Sequence, residues 1–191
     1  MCGATWSYRG GMSTVGVSDR LTLRALRAGD EASARAAQAE LAGENFDFLM
    51  DSGETSFDEY LAILERMRLG EGLSPGQVSA TFLGAFVDED LVGRVSVRHQ
   101  LSERLLRVGG HIGYAVRPQF RRLGYATTIL RQALVVAREM GIELALVTCD
   151  DFNVGSIATI ERCGGQPDRS EQHRAGQKLR YWIPTSTPTR G

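Results

Sequence analysis

The sequence predicts an α/β fold with a mixed central sheet flanked by helices. A strand–helix–strand unit follows a run of strands, an order of elements that is typical of this class. Residues 142–150, "IELALVTCD", form a nearly unbroken apolar stretch, which favours a strand buried on both faces. Residues 124–141 place apolar side chains at helical spacing and predict the strongest helix of the chain.

The first part of the chain predicts one strand and two helices. A short strand over 20–29 is followed by an Ala-rich helix, for which Asp30 is a suitable N-cap. A clear amphipathic helix follows over 56–72, and Gly70 ends it.

The middle of the chain predicts three strands. The stretches 78–88 and 91–101 indicate two strands joined by a short turn. Residues 103–110 are predicted to be a polar connection, and 111–116 to be a further strand. With the helix and the strand that follow it, this third strand predicts a parallel, right-handed crossover.

The end of the chain predicts a helix and a strand. The short helix over 153–165 ends in a glycine pair, and the last strand covers 178–183. We expect one domain over 20–184, with flexible extensions at 1–19 and 185–191.

Composition and charge argue against several classes of protein. The net charge of -1 gives no broad attraction to nucleic acid or to an anionic membrane. No apolar stretch approaches the roughly 18 residues that a membrane span needs. Three cysteines without a CxxC pair argue against a disulfide framework and a structural metal site. We therefore expect a cytoplasmic protein without a bound metal.

A basic bend joins the strand at 111–116 to the strong helix. The free N–H groups and the dipole of a helix N-terminus attract anions. Gly124 permits close backbone approach, while Arg121 and Arg122 add charge that suits phosphate oxygens. Thr127 adds a hydroxyl in the first turn. The bend predicts a phosphate cradle, and a solvated basic loop is the alternative. Its spacing matches neither a P-loop nor a GxGxxG motif.

The same bend resembles the acetyl-CoA signature of the GNAT acetyltransferase superfamily, Arg/Gln-x-x-Gly-x-Gly/Ala. Arg121, Gly124 and Ala126 occupy its positions. The stretch 149–165 is similar to the Asn-rich turn, helix and glycine-containing end of that family. The resemblance covers most of 21–183. Within the superfamily, "GGHIGYAVRPQFRRLGYA" and "RYWI" resemble a bacterial subgroup whose acceptor is unassigned.

The resemblance implies a site for acetyl-CoA, with no metal. In the family the pyrophosphate of coenzyme A lies on the backbone of the signature loop, and the pantetheine arm pairs with the preceding strand. That strand splays away from its neighbour, and one of its backbone N–H groups polarises the thioester carbonyl. The residues implied here are Ala115, Val116, Arg121, Arg122, Leu123, Gly124, Tyr125, Ala126, Thr127 and Asn153.

The chemistry implied by the resemblance is direct acyl transfer to a neutral amine. A base must accept a proton from the amine, and His111 stands where many members carry a glutamate. The alternative is that His111 caps the strand. Many members also carry a tyrosine that protonates the departing thiolate, but Ile160 occupies that position here. Tyr181, Tyr114 or water are the candidates for that role, although Tyr181 also suits the core.

Three residues are candidates for contact with the acceptor. Arg98 and His99 end a strand near the predicted site, although a solvated strand end is the alternative. Phe46 lies in the loop that borders the acceptor pocket in the family, where Phe48 is also found. These aromatic side chains either contact the substrate or cover the core.

We therefore predict an acetyl-CoA-dependent N-acetyltransferase that acts on a primary amine of a small molecule or peptide, as a monomer or homodimer. The missing tyrosine motivates an alternative, a non-catalytic acyl-CoA-binding or sensing module on the same fold. Nucleic-acid binding through the basic bend is a third hypothesis, and the net charge of -1 argues against it.

Overall fold

The computed structural model describes residues 20–50, 53, 55–170 and 177–186. They form a seven-stranded sheet with a hydrophobic core on each face. The predicted extension at 1–19 and the last five residues of the predicted tail, 187–191, lie outside the described residues. The flexibility expected of both extensions therefore stays a prediction.

The strands and helices follow the predicted order. The strands are β1 Leu21–Arg24, β2 Ala80–Val87, β3 Asp90–Arg98, β4 Ile112–Val116, β5 Leu144–Cys149, β6 Gln166–Pro167 and β7 Leu179–Pro184. The helices are α1 Glu31–Ala42, α2 Phe57–Leu69, α3 Glu103–Arg107, α4 Tyr125–Glu139 and α5 Val154–Arg162.

The sheet is mixed, as predicted. Its strand order is β1-β2-β3-β4-β5-β7-β6. β4 and β5 pair in parallel, while every other neighbouring pair is antiparallel. The parallel pair belongs to the strand–helix–strand unit in which α4 connects β4 to β5.

The two faces of the sheet are covered by different helices. The larger core packs α4 and α5 against one face, where Ile129, Leu130 and Ala133 of α4 are fully buried. The smaller core packs α1 and α2 against the other face of β2 and β3. Helix α2 ends at Gly70, whose left-handed φ of 77° matches its predicted role as a stop signal.

One local prediction was wrong. The predicted polar connection at 103–110 contains α3, because the Ser102 hydroxyl accepts the N–H of Leu105 and caps a helical turn. The prediction that Asp30 is the N-cap of α1 is confirmed, although its side chain makes no cap bond to that helix. Its carboxylate pairs with Arg24 at 2.7 Å instead. The sequence analysis also missed β6, which is only two residues long.

Candidate functional site

The basic bend forms the N-terminus of α4. The chain leaves β4, makes a 3-10 turn at Pro118–Phe120 and enters the helix at Tyr125. Two residues of the bend have positive φ, Arg122 at 66° and Gly124 at 85°. Gly124 is the N-cap of α4, and no side chain within the described part of the chain caps this helix. The helix end is therefore left open to an external acceptor.

Open space surrounds the glycine of the bend. A Cβ atom built on Gly124 would meet no atom within 4 Å. Among the hydrogen bonds of the described residues, none uses the backbone N–H groups of 123–126 to reach a loop carbonyl or a side chain. The bend thus combines free space with unused donors, which fits the pyrophosphate of coenzyme A.

The three arginines of the bend have different environments. Arg117 is buried and donates to both carboxylate oxygens of Glu40, at 2.9 and 2.5 Å. Arg121 makes a similar two-bonded pair with Glu44, at 2.9 and 2.6 Å, on the surface. Arg122 is exposed and makes no ion pair with any described residue. Of the two arginines predicted to hold phosphate, Arg122 is the one whose side chain is uncommitted.

Arg121 also contacts the end of β4. Its Nε donates to the carbonyl of Val116 at 3.2 Å. The hydrogen bond from Arg121 holds the pKa of the Glu44 carboxyl below its usual range, so the pair is ionised at neutral pH. The backbone of Arg121 remains part of the bend, while its guanidinium connects β4 to the residues after α1.

β4 and β5 are joined at one end and separate at the other. Their register contains a single pair, Ile112 with Val147, whereas β3 and β4 share five pairs. Just before that pair, the N–H of His111 donates to the carbonyl of Leu146 at 2.7 Å. Beyond it the two strands make no further pair, which leaves a gap beside Ala115 and Val116.

His111 holds the closed end of that gap through its side chain. The N–H of Leu146 donates to Nδ1 of His111 at 2.9 Å. An amide N–H can only donate, so the neutral ring carries its hydrogen on Nε2. Burial lowers the pKa of His111, and the charge of Arg98 lowers it further. His111 is therefore neutral near pH 7, with the lone pair of Nδ1 already engaged.

Tyr114 reaches across the open end of the gap. Its hydroxyl lies 3.0 Å from the Ser156 hydroxyl in the first turn of α5. Burial raises the pKa of Tyr114 to about 12, so the phenol stays protonated at neutral pH. Burial also raises the pKa of the nearby Cys149 thiol, which supports an inert core thiol.

Asn153 caps α5. Its Oδ1 accepts the N–H of Ser156 at 3.0 Å. The residue is exposed, and no hydrogen bond from its side-chain NH₂ group was found among the described residues. Asn153 can therefore cap the helix and donate to a ligand at the same time.

Tyr181 lies in the core rather than at an open surface. The residue is on β7, is 5% exposed and pairs with Val147 of β5. Burial raises the pKa of its phenol. It shares the larger core with Ile160, which occupies the position where many members of the family carry a tyrosine.

The three predicted acceptor contacts do not lie together. Arg98 donates to the carbonyls of Gly109 and Gly110 at 3.0 and 3.2 Å. The Nε2 of His99 lies 2.9 Å from the Thr81 hydroxyl. Phe46 packs against the guanidinium of Arg94. The structure brings Arg98 and Phe46 near β4, while His99 lies beside β2.

The sequence analysis missed Arg94, a buried arginine of β3. Its signal was visible in "GRVSVR", where polar residues alternate with valines and predict one polar row on the sheet. It also missed Glu40 and Glu44, whose partners lie 77 positions away in the chain. No local pattern shows such pairs, since they depend on how α1 packs against the bend.

The described residues contain neither a group arranged to bind a metal nor a helix that could cross a membrane. Within 20–50, 53, 55–170 and 177–186, no group of three or more His, Cys, Asp or Glu residues is arranged to hold a metal ion. In the same part of the chain, no helix combines the length and apolar character that a membrane crossing requires.

The sequence matches the model of one known protein family. A sequence model of the acetyltransferase (GNAT) domain matches residues 20–166. No curated protein sequence matches the chain significantly.

Solved structures with similar folds have low sequence identity to the chain. Mycobacterium smegmatis RimJ in complex with CoA-disulfide has a TM-score of 0.62 at 17% identity, covering 86% of this chain and 81% of that one. The microcin C7 self-immunity acetyltransferase MccE, in complex with acetyl-CoA and AMP, has a TM-score of 0.58 at 15% identity, covering 88% and 94%. A chimera of the spermidine N-acetyltransferase SpeG from Vibrio cholerae and hSSAT has a TM-score of 0.57 at 18% identity, covering 87% and 95%. These likenesses confirm the predicted fold.

Proposed function

Since the chain belongs to the GNAT acetyltransferase family, we propose that it transfers the acetyl group of acetyl-CoA directly to a primary amine of a small molecule or peptide. One observation carries the proposal. The gap between β4 and β5 opens at the end of the sheet where the bend presents its free N–H groups. A phosphate site and a slot for an extended chain thus lie side by side.

The backbone of the bend would hold the pyrophosphate. Its donors are the N–H groups around Gly124 at the open N-terminus of α4, where the helix dipole adds attraction. Arg122 supplies an uncommitted positive charge, and the amide of Asn153 would hold the pantetheine. The cofactor supplies an activated acetyl group in the form of a thioester.

The residues beside the gap would orient the reaction. Ala115 lies in a hydrogen-bonded pair with Arg94 of β3, so its N–H is used within the sheet. The N–H of Val116 points away from β3 toward the gap, and it would stabilise the negative charge that develops on the carbonyl oxygen. The amine nitrogen attacks the carbonyl carbon, the C–N bond forms, the C–S bond breaks, and one amine proton leaves. The products are an N-acetylated amine and coenzyme A.

The amine proton has two possible acceptors, His111 and water. His111 accepts the N–H of Leu146 on Nδ1, so proton uptake by that nitrogen would require this hydrogen bond to break. If the bond persists, His111 instead holds the two strands in register at the closed end of the gap.

The departing thiolate also needs a proton. Tyr114 lies at the gap, is protonated at neutral pH and shares a hydrogen bond with Ser156. Tyr181 is the second candidate, and it would act from within the core. The location of Tyr114 favours it over Tyr181.

The competing function is a non-catalytic acyl-CoA-binding or sensing module. The observation that favours it is Ile160, which is fully buried where many members carry the tyrosine. A thiol-release assay across a panel of amines separates the two functions. Release of coenzyme A that depends on the amine supports the enzyme, while binding without release supports the module. For either function we propose a cytoplasmic protein, since Cys149 and Cys163 are both free thiols.

A further inference from the structure

A row of polar residues crosses the sheet beside the proposed reaction point. Arg94, Ser96 and Arg98 alternate along β3 and face α1 and α2. In the register with β4, Arg94 lies opposite Ala115 and Ser96 lies opposite Gly113. Residues opposite each other on antiparallel strands share one face. The row therefore lies on the face opposite α4 and α5, next to the small residues of β4.

Arg94 is a buried cation at one end of this row. It is 5% exposed, and it donates to the carbonyls of Gly113 and Asp47 at 3.3 and 3.2 Å. Its Nε has no hydrogen-bond partner. The rings of Phe46 and Phe82 lie 4.9 and 5.7 Å from the guanidinium. Burial lowers the pKa of Arg94 to about 10.

Arg98 lies at the other end and is only partly buried. Its Nη1 donates to Gly109 and Gly110, and its guanidinium covers Gly113. A Cβ atom on Gly113 would lie 3.4 Å from Nη1 and 3.7 Å from Nη2 of Arg98. No hydrogen bond from Nη2 or Nε was found among the described residues. This side of the fork is therefore available to a ligand.

Neither arginine is paired with a carboxylate of the described residues. Across the described residues, no Asp or Glu oxygen lies within 4.0 Å of either guanidinium. Asp47 acts on Arg94 from further away and raises its pKa slightly, while Arg98 lowers it. Two neighbouring cations in a poorly hydrated place are costly without an anion nearby.

We propose that the acceptor of this enzyme carries an anionic group, a carboxylate or a phosphate, which binds the free fork of Arg98 next to Gly113. The inference rests on the proposed function and names the class of its substrate. Arg94 acts from beneath as a positioning charge, because its own guanidinium is enclosed. A planar fork suits both kinds of anion.

The register also sets the distance between the two ends of the acceptor. Gly113, under Arg98, and Ala115, next to the proposed reaction point at Val116, are two residues apart on β4, roughly 7 Å. The amine and the anionic group should then lie roughly 5–8 Å apart in the acceptor. A short ω-amino acid has this separation, whereas glycine is too short.

The same charges discriminate against polycationic acceptors. A polyamine would place its second ammonium group against Arg98, where like charges repel.

The test uses matched amines that differ in one anionic group. Coenzyme A release is measured with 4-aminobutyrate against 4-aminobutyramide, with 2-aminoethyl phosphate against ethanolamine, and with spermidine. A series from glycine to 6-aminohexanoate tests the distance. For the better of the two anionic acceptors, we expect kcat/KM to exceed that of its neutral partner at least about tenfold. This is the size of effect that one hydrogen bond between charged groups produces.

Variants connect that preference to Arg98. Arg98→Gln should remove the preference while leaving the KM for acetyl-CoA unchanged, and Arg98→Lys should keep part of it. Arg104→Gln is the matched control, because it removes an exposed charge that also acts on Arg98. The control should keep the preference.

Other outcomes overturn the inference. Equal or faster turnover of the neutral amides or of spermidine would do so while leaving the proposed function intact. If no amine is acetylated, the proposed function fails, and binding decides the inference separately. Calorimetry with coenzyme A present would compare 4-acetamidobutyrate with 4-acetamidobutyramide, and equal affinities would refute the anion site.

Discussion

The two faces of the sheet present positive charge in different ways. Toward α4 and α5, the charge comes from backbone N–H groups at a helix end, with Gly124 leaving room for a ligand. Toward α1 and α2, it comes from Arg94 and Arg98, which project from the middle of the sheet. The gap between β4 and β5 connects these two surfaces through the sheet.

From this difference we expect the cofactor half of the proposed site to tolerate many sequences and the acceptor half to be specific to this chain. Backbone donors depend on the turn, so many sequences can hold the same phosphate group with the same loop. Side chains on β3 can be exchanged without disturbing that turn. The face with Arg94 and Arg98 is therefore where we expect the acceptor to be selected, and it can be tested independently of the cofactor.

The largest expected effect comes from a bulky side chain at the N-terminus of α4, compared with the same side chain at its C-terminus. Gly124→Trp should reduce the affinity for acetyl-CoA at least about a hundredfold, since the indole would fill the space next to the free N–H groups. Gly141→Trp is the control, because Gly141 also has positive φ and open surroundings but lies after α4. Calorimetric titration of both variants measures the effect. Similar affinities in the two variants would remove the bend from the cofactor site.

The next effect concerns the two tyrosines. Tyr114→Phe should lower kcat about a hundredfold if its phenol protonates the thiolate, a typical magnitude for acid catalysis. Tyr181→Phe should lower kcat less, because that phenol is enclosed in the core. Steady-state kinetics with saturating acetyl-CoA compares them. The reverse order would transfer the acid role to Tyr181, and two unchanged rates would leave that role to water.

His111 links the two faces at the closed end of the gap. His111→Asn keeps an acceptor for the N–H of Leu146 but cannot titrate, whereas His111→Ala loses both properties. If His111 is the base that accepts the amine proton, both variants should lose activity together. If His111 only positions the strands, His111→Asn should retain most of the activity and His111→Ala should not. Measurement of kcat against pH distinguishes the two roles.

The same residue makes stability depend on pH. Since the folded pKa of His111 is lowered, its neutral form is favoured by folding. The contribution of His111 to the free energy of unfolding should be fully present above pH 6.5, the ordinary pKa of histidine. It should fall as the pH drops toward the lowered pKa of the folded state. His111→Asn should flatten part of this dependence in thermal melts. His99, whose pKa burial also lowers, should retain the rest.

The smallest effects distinguish the two ion pairs that join α1 to the bend. Glu40→Gln should destabilise the fold by about 2 kcal/mol, because it leaves the buried Arg117 without its carboxylate. Glu44→Gln should cost less than about 1 kcal/mol, because its pair with Arg121 is exposed. Urea denaturation measures both. A larger cost for Glu44→Gln would show that the surface pair holds the bend in place.

Sequence reasoning succeeded where the determinants are local. The turn at Gly124, the amphipathic pattern of α4 and the apolar stretch of β5 each lie within one short segment, and the structure confirms these elements. α3 was missed because five residues with a single cap give little periodicity, and tertiary contacts decide such a short helix.

The site was predictable only in part, for the same reason. The positions of Gly124 and Asn153 at helix starts follow from local patterns. The pairing of Arg121 with Glu44, and the bond between His111 and Leu146, join segments that are far apart in the chain. Such contacts depend on the assembled sheet, so the sequence could nominate these residues but not their partners.

The most direct test of the central claim is a thermal shift with acetyl-CoA, using ATP and NAD as controls. A ligand present at a hundred times its Kd stabilises a protein by roughly 2.7 kcal/mol, so binding at the gap should raise the melting temperature clearly. We predict a rise with acetyl-CoA that neither control reproduces. No rise with acetyl-CoA, or an equal rise with ATP and NAD, would contradict the assignment of the bend and the gap to this cofactor.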